Sequence, residues 1–259
     1  MAMTGSQIAK GGFENEQSVA DKFNDWKNDA DAQQWLTIMM YNLDEIEYVH
    51  AEKIGQICYK SDINVVIRIY IRKKHLETVE NIQVKLVSSK DRGFNQVEKR
   101  KVGHYVKDWH IIPKVETLLK LYDGELPPRP NSRHPKRMFV DEFMPDEQEL
   151  LRKFFQQNLI MIISDVIRGR GRFAAEWSLI IQNYEDTYNW KLIAVNEAIS
   201  IYAGDCQVVF TKQGNIRLGT ITLQRKGGDN GADTANMLQF KANPLILFKD
   251  QTINDESIE

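Results

Sequence analysis

The sequence predicts an α/β protein: a mixed α/β N-terminal half, a proline-rich connector and a more strand-rich C-terminal half. Three observations carry this. Two β-branched runs, residues 63–71 and 82–87, have strand length and flank a polar stretch at 72–81 that fits a turn, so they read as a hairpin. Residues 123–137 gather Pro127, Pro128, Pro130 and Pro135 with few apolar side chains. Beyond them, short β-prone runs recur between polar turns.

In chain order, residues 1–11 are small and polar and predict a loose start. Phe13, Val19, Phe23 and Trp26 then recur at helical spacing, in a helix that ends near Asp29. Residues 35–40 fit a strand or a helix, and 46–49 a short extended stretch. In the second strand of the hairpin, Ile82, Val84 and Leu86 alternate with Gln83, Lys85 and Val87, which makes two distinct faces. Residues 97–121 support one or two helices, interrupted at Pro113. Residues 145–157 read as a helix with Asp146, Glu147 and Glu149 in its first turns, where the helix dipole favours anions. The apolar run at 159–167 reads as a strand and 173–183 as a helix, followed by strands at 190–195, 207–210, 216–224 and 237–241. There is no internal repeat.

Composition narrows the function. At 259 residues, 42% hydrophobic and 27% charged, the chain is long enough for one large domain or two modest ones. No apolar run approaches the roughly 20 residues that span a bilayer, so no membrane partner is expected. The N-terminus lacks a basic stretch followed by an apolar one, and Cys58 and Cys206 stand apart, so neither an export signal nor a disulfide scaffold or zinc site is expected. The expected compartment is the cytoplasm.

Net charge is −2, yet the charges are segregated. Residues 212–226 carry +4 and residues 90–101 carry +3, while the tail at 250–259 carries −4. Arg168, Arg170 and Arg172 alternate with glycines, and Arg133, Lys136 and Arg137 form a further basic group. A cleft facing double-stranded DNA needs this separation, and a merely solvated surface also permits it.

The chemistry converges on the hairpin. Ser61 and Asp62 open its first strand, and twenty residues separate Asp62 from Gln83. Gln83 and Lys85 are two apart on a strand and share a face, which Asp62 can approach if the two strands are antiparallel neighbours. Magnesium, a hard cation, takes oxygen ligands: the Asp62 carboxylate, the Gln83 amide and the Val84 carbonyl. Lys85 can hold the attacking water and neutralise charge developing on a phosphate. Glu16 on the first helix is a further candidate carboxylate.

Directly downstream, Lys90, Arg92, Phe94, Asn95 and Gln96 mix phosphate-binding cations with amides able to read base edges, and Lys99 continues the basic run. Two readings of Phe94 stand: a wedge between base pairs, or a cap on the core. A second basic, glycine-rich segment holds Gln224, Arg225, Lys226 and Asp229. Arginine or lysine suits guanine and Asp229 can accept from cytosine, while Lys90 and Lys226 also suit phosphates. As a bare surface turn the segment needs no ligand. Arg170, between glycines, suits phosphate.

The segments 12–16, 60–65, 82–87, 92–96, 124–128 and 224–229 resemble the HinP-type restriction endonucleases of the PD-(D/E)XK nuclease superfamily, and the likeness runs from about Gly12 to Phe248. The resemblance implies a mixed β-sheet core flanked by helices, with a second, strand-rich α/β lobe that helps grip DNA. On that pattern the catalytic lobe spans 1–126, the connector 127–137, the recognition lobe 138–248 and an acidic tail 249–259. It implies magnesium-dependent cleavage of double-stranded DNA at GCGC leaving 5′-phosphates, and a companion methyltransferase. The active unit is a monomer or a dimer. Asp62, Gln83 and Lys85 match the family's metal-binding acid, second ligand and catalytic lysine. One departure from the wider superfamily is Gln83, where a carboxylate is usual. Other classes compatible with the same residues are a repair nuclease of this superfamily and a DNA-binding regulator that has lost cleavage.

Overall fold

The β-branched runs form the predicted hairpin, and the rest of the chain is laid against it. The computed structural model describes residues 5–54, 65–71, 76–91, 95–228 and 232–249, with side chains from residue 14 onward. Strands β1 (Ile46–Lys53), β2 (Val65–Ile71) and β3 (Leu76–Val87) pair antiparallel in succession. Further along, β4 (Asn95–Arg100) leaves this sheet, and β5 (Trp177–Tyr184) returns to run parallel to β3 with β6 (Thr187–Ala194) antiparallel at the edge. The order is β1-β2-β3-β5-β6, a mixed sheet.

The second sheet is antiparallel throughout. It contains β7 (Val208–Phe210), β8 (Ile216–Leu218), β9 (Ile221–Arg225) and β10 (Leu238–Ala242), in the order β4-β10-β9-β8-β7. Each sheet therefore draws strands from both sides of residues 127–137: β5 and β6 come from beyond them, β4 from before.

Two cores meet across the first sheet. Helices α1 (Gly5–Asn24) and α2 (Ala30–Ile38) cover one face, where Val19, Phe23, Trp35 and Leu36 pack on Ile67, Ile69, Ile82, Val84 and Leu179. On the opposite face Val87, Ile180 and Ile193 join a larger core with α3 (Pro113–Asp123), α4 (Pro145–Arg168), α5 (Val195–Ala203) and the second sheet.

Several expectations are corrected. Helix α1 already runs from Gly5, so residues 5–11 are not a loose start. Of the two alternatives for residues 35–40, helix holds for 35–38, in a helix capped by Asp29, whose carboxylate accepts from the Ala32 N–H at 2.9 Å. Residues 76–81 extend β3 rather than forming a turn. Residues 97–100 belong to β4 rather than to a helix, and after a single 3₁₀ turn at Val102–His104 α-helix begins only at Pro113. The run at 159–167 is the second half of α4, and 177–183 is a strand, not a helix.

The last two corrections share a cause. Leu159, Ile162, Ile163, Val166 and Ile167 are buried on one face of α4, but Ile160, exposed, and Met161, half-buried, make the run continuously apolar from 159 to 163. β5 is buried on both faces, with Leu179 and Ile181 in one core and Ile180 in the other. Apolar residues on both faces, buried in β5 and partly exposed in α4, mask the periodicity that tells helix from strand.

Candidate functional site

The hairpin register sets the geometry. Val65 of β2 pairs with Ile82 of β3, and Ile82 also pairs with Trp177 of β5. Ile82 is thus a hand-over residue. Before it β3 has β2 on one side; after it, Gln83–Val87 pairs with β5, and no other strand neighbours it among the described residues. Since Ile82, Val84 and Leu86 face the helix-covered core, Gln83 and Lys85 stand together on the opposite face, as the alternation predicts. Gln83 is buried and Lys85 half-buried.

The start of this segment is locked. The Asn81 N–H donates to the Glu176 carboxylate at 2.7 Å, the Glu176 N–H donates to the Asn81 carbonyl at 2.9 Å, and the Asn81 amide donates to the Arg172 carbonyl at 3.2 Å. Burial raises the Glu176 carboxyl above the ordinary glutamate pKa. Ser61 and Asp62 lie outside the described residues, as do Arg92, Phe94 and Asp229. Among the described residues no three His, Cys, Asp or Glu side chains cluster as a metal site.

The loop after β3 is pinned at its base. Gln182 of β5 donates to the Ser89 and Lys90 carbonyls at 2.8 and 3.0 Å, and the Asn95 amide donates to the Leu86 carbonyl at 3.2 Å. Lys90 is exposed, and the Asn95 amide is engaged in holding the loop.

Two segments that the sequence presents 128 positions apart, at Gln96 and Gln224, come together on the second sheet. The strand that joins them is β10, through Gln239. Gln239 Nε2 donates to Gln96 Oε1 at 2.8 Å, and Gln224 Nε2 donates to Gln239 Oε1 at 3.2 Å. Lys99 pairs in register with Gln239, and Lys241 with Thr222. Sequence reasoning missed Gln239. No local motif marks it, because its partners are set by strand pairing alone.

Other predicted cations have structural partners. Arg225 points the other way from Gln224: its Nε donates to the Asp123 carbonyl at 2.9 Å and its Nη2 to Asn236 Oδ1 at 2.7 Å. The Lys226 backbone N–H donates to the Met237 carbonyl at 2.8 Å. The Arg170 guanidinium is held by Asp165 and Asp108, and Asp165 also accepts from Trp109 Nε1 at 2.7 Å. Glu16 pairs with Lys53 at 2.9 Å. It extends the α1 stripe of Val19, Ala20 and Phe23, so it lies on the helix-covered face, away from Gln83 and Lys85.

The basic group beside the connector is also built in. Arg133 pairs with Asp141 at 2.5 Å, and Arg137 stacks over Phe139 and Tyr122 with its charge centre 4.0 and 5.0 Å from the ring centres. Burial lowers the Arg137 pKa from the ordinary guanidinium value.

Residues 39–248, which are 210 of the 259 residues, match the profile of the R.HinP1I restriction endonuclease family. The chain belongs to that family. The architecture of this R.HinP1I-family chain is that of a solved restriction endonuclease, MspI in complex with its cognate DNA, with a TM-score of 0.65 over 92% of this chain and 91% of that one. The two share 13% of their residues, so the likeness is one of fold. No curated protein matches the chain. Family and fold together make the chain a type II restriction endonuclease, an enzyme that acts on DNA. Among the described residues no helix is long and apolar enough to cross a membrane.

Proposed function

We propose that the chain is a magnesium-dependent nuclease of the PD-(D/E)XK type that cleaves double-stranded DNA at GCGC and leaves 5′-phosphates, with Asp62, Gln83 and Lys85 at its centre. A companion methyltransferase protects the same site. In this reading the first sheet carries cleavage and the second carries recognition.

The observation that supports it is the hand-over at Ile82. Gln83 and Lys85 follow it on one face, where β2 no longer flanks β3. Asp62 stands three residues before Val65, so covalent geometry alone keeps their Cα atoms within about 11 Å. Val65 in turn is paired with the neighbour of Gln83.

The donors are all oxygens: the Asp62 carboxylate, the Gln83 amide and the Val84 carbonyl. That set suits magnesium and not a soft metal. When bound, the ion supplies Lewis-acid polarisation of the scissile phosphate. Lys85, on the same face, orients the attacking water and stabilises negative charge that develops on the phosphate. Gln83 brings a neutral amide, which lowers the charge of the site and favours one ion over two. Glu16 is engaged by Lys53 and is given no metal here.

Replacing Asp62 or Lys85 by Ala tests the site. The expected outcome is loss of cleavage with DNA binding retained in gel-shift assays. Cutting by either variant at the wild-type rate ends the assignment.

A further inference from the structure

The outer face of the second sheet carries a device that the catalytic reading does not use. Leu223, Leu238, Phe240 and Ala242 point into the core, so by alternation Thr222, Gln224, Gln239 and Lys241 stand on the other face. On β4 the register shifts opposite Phe240 and Lys241, so that Val97 and Glu98 are both buried and Gln96 and Lys99 share that outer face. Arg217, in register with Thr222, extends it. The described strand residues of this face include three cations and no acid. Each cation can meet a phosphate flanking the bases.

At its centre the three glutamines form a chain with a direction. Gln224 donates to Gln239, and Gln239 donates to Gln96. The Gln96 carbonyl therefore accepts within the chain and its NH₂ is left to donate; at the other end the Gln224 NH₂ donates within the chain and its carbonyl is left to accept. Gln96 is exposed and Gln224 half-buried, so both ends are reachable, whereas Gln239 is only 8% exposed although it is not on the core face.

A free glutamine amide can turn over and present either a donor or an acceptor, so it separates bases poorly. A glutamine whose amide is fixed by a neighbour cannot. In the major groove guanine presents the acceptors N7 and O6, and cytosine presents the N4 donor. The fixed Gln96 matches the first and the fixed Gln224 the second.

We propose that Gln239 is a positioning residue for sequence recognition: it fixes the amide orientations of Gln96 and Gln224 so that the sheet presents a donor to guanine and an acceptor to cytosine. The proposal rests on the DNA-cleaving reading above and adds the side chains that discriminate.

The test uses the full chain as wild type, Gln239→Met and Gln239→Glu. Bound duplexes are selected from a randomised DNA pool in calcium and sequenced, with plasmid cleavage in magnesium and thermal melting followed in parallel. Methionine keeps the volume and removes both hydrogen bonds. It is expected to reduce the preference for the selected site over single-base-pair variants by roughly 10-fold, with the melting temperature nearly unchanged. Glutamate accepts but does not donate, so it still holds Gln224 but turns the Gln96 amide over. Its loss of preference is expected to concentrate on the base pair that Gln96 reads, while its added charge weakens binding to all sequences alike.

Preference unchanged at every position in both variants overturns the proposal, as does a wild type that enriches no sequence. A drop in melting temperature with preference intact makes Gln239 structural and also overturns it. Plasmid cleavage by the wild type judges the nuclease reading separately.

Discussion

Replacing Arg170 by Ala separates a DNA-binding arginine from a structural one. The sequence offers it as a phosphate contact between two glycines; the structure gives its guanidinium to Asp165 and Asp108. Asp165 is the buried partner, with its side chain 3% exposed, and Arg170 and Trp109 donate to its two oxygens, so losing Arg170 leaves a buried carboxylate without a neutralising guanidinium. Removing one partner of a fully buried pair costs about 3–5 kcal/mol. The Arg170 side chain is 34% exposed, so water replaces part of what is lost, and about 2 kcal/mol remains. The pair with Asp108 is a third exposed on both sides and adds little.

For a chain of this size, 2 kcal/mol corresponds to a fall in melting temperature of about 4–8 °C. Circular dichroism melting reads this directly. The salt dependence of DNA binding reads the alternative, because each lost phosphate contact reduces the slope by about 0.9. The expected result is the lower melting temperature with the slope unchanged. A melting temperature within about 1 °C of wild type together with a slope reduced by roughly one refutes the structural assignment.

Two further outcomes follow from the fold. Asp123 is fully buried, and burial pushes its carboxyl pKa up to about 8, against about 3.9 in an unfolded chain. Between those values the folded protein keeps a proton that the unfolded chain releases, so this group's contribution to stability is full below about pH 4 and is lost as pH rises to about 8. Asp123→Asn removes the dependence; melting curves from pH 4 to 8 are expected to show the variant gaining on wild type as pH rises, and parallel curves count against it. Gly219, in the turn between β8 and β9, has φ +56°, and an added Cβ would lie 2.3 Å from the Ala203 carbonyl oxygen. Gly219→Ala is therefore expected to cost more than about 2 kcal/mol in urea unfolding, and an unchanged midpoint contradicts this packing.

What the sequence made legible follows from local physics. The hairpin could be read because one face of β3 is apolar and the other is not, and the same alternation placed Gln83 and Lys85 together. The start of α4 could be read from Pro145 and the acids behind it. The Glu147 carboxylate accepts from the Met144 N–H at 3.1 Å, as such a start requires. The end of α4 and the centre of β5 could not, because apolar residues on both faces leave no clear period to detect.

The glutamine chain on the second sheet escaped the sequence for a different reason. Gln96 and Gln224 stand out in sequence only as members of separate basic segments and Gln239 not at all; the register of β4, β10 and β9 is what makes them a chain. The cations show the converse. Arg170, Arg225 and Arg137 are conspicuous by charge, yet Asp165, the Asp123 carbonyl and the ring of Phe139 are what hold them.

Magnesium-dependent cleavage at GCGC is read out by digesting unmethylated plasmid in magnesium and sequencing the ends, with EDTA and GCGC-methylated plasmid as controls. The expected result is discrete fragments whose 5′-phosphorylated ends fall within GCGC and which both controls abolish. Ends scattered over unrelated sequences, or intact plasmid in magnesium, contradict it.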